Sequence, residues 1–208
     1  FPIACNVMLM FMAMQGDRLN VAMNFSAEDL AKFAISAQLT MLPSLVGARF
    51  LLSLDLPRFS KLRAQPAELR RQYGMRLKWV VLTATAMLFA FATLGTQTVA
   101  WLYGVAFVPT PELMTLLAAA AGLRLIRAVP NTLLISRGKT LMMLLCNAPR
   151  LIALLVALAF VAHGYGLVTI VAIGMFSEAL SLLIGMGAVA TMDRKAVRST
   201  LPLPEMTR

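Results

Sequence analysis

From Trp79 to Tyr103 the chain runs without one charged side chain. A run of that kind matches the roughly 20 residues an α-helix needs to cross the hydrocarbon core of a bilayer. Inside lipid, every backbone N–H and C=O must find its partner within the protein, so helices are the default for spanning segments. Five more apolar runs of similar length follow the same logic, about Phe1–Met23, Leu30–Leu54, Glu112–Ser136, Thr140–Ala162 and Leu167–Met192. The sequence therefore predicts an all-α integral membrane protein, a single six-transmembrane-helix bundle over residues 1–208. Composition agrees. Hydrophobic residues make up 60% of the chain and charged residues only 13%, too few to cover the surface of a soluble domain.

The formal net charge of +10 would suggest nucleic acid in a soluble protein, but its distribution argues otherwise. The basic residues sit in alternate connections. The segment 55–78 holds Arg58, Lys61, Arg63, Arg70, Arg71, Arg76 and Lys78. "RGK" joins the fourth and fifth runs, and the tail 193–208 is basic. The other connections, "NFSAEDL", "GVAFVPTP" and "HGYG", are mildly acidic or carry no charge. Positively charged loops stay in the cytoplasm. This alternation predicts a multi-pass membrane protein with both ends of the chain cytoplasmic, no nucleic-acid partner, and membrane lipids against its basic loop. That loop is expected to be solvated or to carry a short interfacial helix with Pro66 in its first turn. The chain begins at Phe1 without a basic leader, so it reads as a piece of a longer protein rather than as one with a signal peptide.

Three of the apolar runs contain charges where lipid tolerates them least. Counting at 1.5 Å per residue, Arg124 lies about 18 Å along the fourth span. Arg127 follows on the same face, and Asn131 extends that stripe by four residues. Arg150 lies about 15 Å into the fifth span and Glu178 about 16 Å into the sixth. A charge at that depth costs at least about 2.5–3.5 kcal/mol, so these groups should face one another or a wet cavity. Either Glu178 pairs with Arg124 or Arg150 and locks the helices, or the surplus of arginines lines a cavity for an anion. Guanidinium forks suit phosphate oxygens. Asp17 and Arg18, near the end of the first span, form either a local interfacial pair or a cavity rim. Pro43, Pro130 and Pro149 are expected to kink their helices.

Other signals are weaker. "RGKT" imitates the end of a phosphate-binding loop, but Leu133 stands where that motif needs glycine. Glu28 and Asp29 are expected to open a helix capped by Ser26 rather than to act as a catalytic acid pair. No hydrolase triad or zinc motif appears in the sequence, so no enzymatic activity is expected. The two cysteines and single histidine suggest neither a disulfide framework nor a metal site.

"GDRLNVAMNFSAEDLAKFAISAQLTMLPS" resembles the seventh and eighth helices of the polysaccharide (O-antigen type) flippases. These belong to the multidrug/oligosaccharidyl-lipid/polysaccharide exporter superfamily. "LPRFSKLRAQ" looks like that family's cytoplasmic loop. "LISRGKTLMMLLCNAPRLIALLVALAFVAHGYGLVTIVAIGMFSEAL" looks like its tenth to twelfth helices. The resemblance implies one lobe of a twelve-helix transporter, with the N-terminal lobe of the same protein as partner. It implies translocation by alternating access of a lipid-linked oligosaccharide of the undecaprenyl-pyrophosphate type. It also implies no cofactor, and a sodium ion or proton as coupling ion. On this reading Arg124, Arg127, Arg150, Asn131 and Arg18 would hold the substrate, while Glu178 and Asp17 would serve coupling or charge pairing. The assignments of Arg124, Arg127 and Arg150 come from depth, not from a strict family motif. A multidrug exporter and a non-transporting membrane scaffold are the alternatives.

Overall fold

The computed structural model describes residues 8, 11, 15, 16 and 18–200, without the side chains of 193–200. The described part of the first span is helical, with residues 18–24 forming the end of α1. Most of that predicted span, Asp17 included, lies outside the described residues. Then follow α2 (Ala27–Lys61), a 3-10 turn (Leu62–Ala64), α3 (Pro66–Tyr103), a second 3-10 turn (Val105–Phe107), α4 (Pro111–Ser136), α5 (Thr140–Ala162) and α6 (Leu167–Thr200). No strand occurs among the described residues. Among the described residues, five helices are long and apolar enough to cross a membrane.

The helix starts follow local chemistry. Ser26 Oγ accepts the backbone N–H of Asp29 at 3.1 Å, and Glu28 and Asp29 occupy the first turn of α2. There they complement the positive end of the helix dipole. Thr110 caps α4 in the same way, with Pro111 in the first turn. Pro66 opens α3, where its missing N–H is no loss.

One connection is far shorter than the charge pattern suggests, although Pro66 does open a helix there as expected. The segment 55–78, read from its charge as a loop, is helical nearly throughout, because α2 runs to Lys61 and α3 starts at Pro66. Its arginines, lysines, leucines and glutamine are good helix formers, and a charged run marks the end of lipid rather than the end of a helix. At about 57 Å, the 38-residue α3 is far longer than the roughly 30 Å hydrocarbon core. The extended hairpin is tied by packing of Phe59 and Leu69 against Leu133 and Val189. It is also tied by an ion pair between Arg76 Nε and buried Asp55 Oδ1 at 3.0 Å.

The central helix is α4, which packs against α2, α3 and α6, while α5 packs chiefly on α6. Small residues allow the close approach: a Cβ on Gly122 would stand 3.5 Å from the Ala84 carbonyl of α3. The outward faces of α2 and α3 expose Val46, Phe50, Leu82 and Phe89, as lipid-facing helices do. The α2–α3 and α4–α5 turns lie together, since Arg63 Nη2 donates to the Arg137 carbonyl at 3.3 Å. Gly138 makes the second of these turns with φ +70. These two turns define the basic end of the bundle. The helices continue through Pro43, Pro130 and Pro149.

Candidate functional site

Arg124 stands at the middle of α4, Arg150 at the middle of α5, and Glu178 near the middle of the apolar part of α6. The packing of α4 and α5 against α6 brings the three levels together. Arg124 donates to Glu178 Oε1 through Nε at 3.0 Å and Nη2 at 2.8 Å. Arg150 Nε reaches the same oxygen at 3.0 Å. Arg127 Nε lies 3.2 Å from Oε2 but out of line for a hydrogen bond. Arg127 is anchored instead through Nη1, which donates to Asn147 Oδ1 of α5. One carboxylate thus serves three guanidiniums, leaving a local surplus of two positive charges.

Burial separates the three arginines. The side chains of Arg127 and Arg150 are 2% and 5% exposed, whereas Arg124 keeps 12%. Arg124 faces a cavity of about 430 Å³ between α2, α4 and α5. Arg127, Asn131 and Asn147 share its wall, and Arg18 of α1 stands at its side. Beyond the cluster lies a narrow cavity of about 40 Å³, lined by Arg124, Arg150, Ser177, Glu178 and otherwise apolar residues. Among the described residues, buried Arg124 Nη1, Asn131 Oδ1 and Ser181 Oγ have no hydrogen-bond partner. An unmade buried hydrogen bond costs about 1–3 kcal/mol.

The structure gathers Arg124, Arg127, Arg150 and Glu178 into one cluster and sets Asn131 and Arg18 on the wide cavity beside it. Asp17 lies outside the described residues. Asn147 was not singled out from the sequence. Its signal was its place three residues before Arg150, on the same face of an otherwise apolar helix. No group of His, Cys, Asp and Glu close enough to hold a metal ion occurs among the described residues.

The family model for polysaccharide biosynthesis proteins matches residues 1–112, just over half of the chain. The chain belongs to that family. Membership agrees with the flippase resemblance, and the helices make this member of the family a multi-pass α-helical membrane protein. The matched range takes in α1–α3 and ends at the first turn of α4, before the charged cluster. No curated protein and no solved structure matches the chain.

Proposed function

We propose that this chain is the C-terminal lobe of a twelve-helix flippase that moves a lipid-linked oligosaccharide across the bacterial inner membrane by alternating access. The observation that carries the reading is the surplus of two positive charges at mid-depth, beside a cavity of about 430 Å³. That volume lies within the range of ordinary ligand pockets, about 300–1,000 Å³. Arg124 and Arg127 meet the pyrophosphate of the carrier lipid, with Asn131 and Arg18 toward its first sugars. Arg150 and Glu178 hold the cluster from behind and serve ion coupling. The basic end, with its hairpin and its 137–139 turn, faces the cytoplasm.

The same superfamily exports cationic drugs, but a cation would meet three guanidiniums around one carboxylate here. The scaffold alternative draws on the fact that Glu178 contacts all three arginines. The adjoining cavity, with Arg124, Arg127 and Asn131 on its wall, favours transport. The test is translocation of undecaprenyl-pyrophosphate oligosaccharide by the full-length protein carrying Arg124→Ala or Arg150→Ala. Loss of transport with normal membrane levels is expected. Unchanged transport by both variants overturns the reading.

A further inference from the structure

The two cavities at the cluster lie on opposite sides of a single level in the bundle. The wide cavity reaches toward the basic end, past Ala48, Leu52 and Ile135. The narrow cavity reaches the other way, past Phe33, Leu117 and Ile170. Three helices line both cavities and cross near the charged level: α4 at Arg124, α5 between Asn147 and Arg150, α2 over Gln38–Met41. Arg124 and Met41 line both cavities, whereas Glu178 and Arg150 line only the narrow one, and Arg127 only the wide one. What stands between the cavities is Met41 and Arg124, the latter held to Glu178 by contacts of 2.8 and 3.0 Å.

We propose that the Arg124–Glu178 pair holds a partition worked by anion exchange: a phosphate group entering the wide cavity takes the place of Glu178 on Arg124, and the narrow cavity then joins the wide one. The proposal rests on the flippase reading above and adds what opens the path. Pulling the pair apart with nothing in exchange would leave both charges buried and unpartnered, which is strongly unfavourable. Exchange avoids that. Arg124 gains phosphate oxygens in the bidentate geometry its fork prefers, and Glu178 remains against Arg150 at 3.0 Å. A diphosphate also brings the two negative charges that the cluster lacks. The partition therefore stays shut while no anion is bound, and a neutral or cationic molecule in the wide cavity leaves it shut.

The test uses the full-length protein in lipid nanodiscs, with its native cysteines replaced and one reporter cysteine per variant. Ala128→Cys reports on the wide cavity. Gly174→Cys reports on the narrow one, where a new Cβ would meet no atom within 4 Å. A water-soluble thiol reagent is applied with farnesyl pyrophosphate as the probe and farnesol as the control. The probe is expected to protect Ala128→Cys and to raise the labelling rate at Gly174→Cys about ten-fold, with farnesol doing neither. Glu178→Gln is expected to raise labelling at Gly174→Cys without any probe. If that variant fails to accumulate, the comparison with and without probe in the native background decides alone. Protection of Ala128→Cys with no change at Gly174→Cys overturns the partition and leaves the anion site standing. Protection at neither position overturns the anion site, and the partition with it.

Discussion

Replacing Glu178 by glutamine keeps the shape of the side chain and removes the carboxylate that Arg124, Arg127 and Arg150 all contact. At separations near 3 Å each pair attracts by about 5 kcal/mol at an effective dielectric of 20. Much of that gross attraction is offset by desolvation and by repulsion among the arginines. Deleting one member of a buried pair costs about 3–5 kcal/mol net, because the partner's charge is left behind. Here three partners are left behind, so Glu178→Gln should destabilise the full-length protein by about 4–5 kcal/mol. The assay is reversible denaturation in mixed micelles, followed by tryptophan fluorescence. A second substitution sharpens it. Arg150→Gln in the Glu178→Gln background removes one of the three stranded charges and should recover about 1–3 kcal/mol, within the range of coupling between contacting residues. A loss below about 1 kcal/mol for Glu178→Gln would place this cluster with exposed ion pairs and refute the reasoning. So would a double variant no more stable than the single one.

Asn147→Leu removes the acceptor of the Arg127 Nη1 bond and should cost about 1–3 kcal/mol in the same denaturation assay. Arg76→Met strands buried Asp55 and should cost about 2–4 kcal/mol, most of it regained when Asp55→Asn is added. Ser26→Ala removes the cap of α2 and should lower stability by about 1 kcal/mol, measurable as a shift in the denaturation midpoint. The contact between the Arg63 and Arg137 turns predicts that Ala64→Cys and Lys139→Cys are labelled from the same face of the membrane. Labelling from opposite faces would refute the assignment of the basic end.

The spanning helices α2–α6 were legible because lipid imposes a single requirement, a long enough run of apolar residues, and each run meets it. The cap at Ser26 was legible for a similar reason, being decided within three residues. The helical hairpin over 55–78 was not, because hydropathy registers where lipid ends and is silent on whether the helix goes on. Depth along each span put Arg124, Arg127, Arg150 and Glu178 at one level, since rise per residue is fixed. It did not settle that one carboxylate would face all three arginines. That depends on how α4, α5 and α6 are rotated about their axes, which is set by close packing such as Gly122 against Ala84 and has no short-range signature. Asn147 was obscured by the same limit, because an amide in an apolar helix gains meaning only when its neighbour is known. The two cavities are likewise properties of helix arrangement rather than of any one segment.

The central place of α4 bears on how the protein is made. Its neighbours α2, α3 and α6 shield it from lipid, and it is less apolar than α5 and α6. Arg124 is synthesised 54 residues ahead of the carboxylate that matches it. For that interval α4 carries mid-depth arginines that a lone helix tolerates poorly in a bilayer. Its stable insertion therefore waits on α6. In a nascent chain ending after α5 the α4 segment should be open to membrane proteases, and in one ending after Met192 it should be protected. On that expectation Glu178 completes the burial of α4, a part it would play once in the life of each molecule.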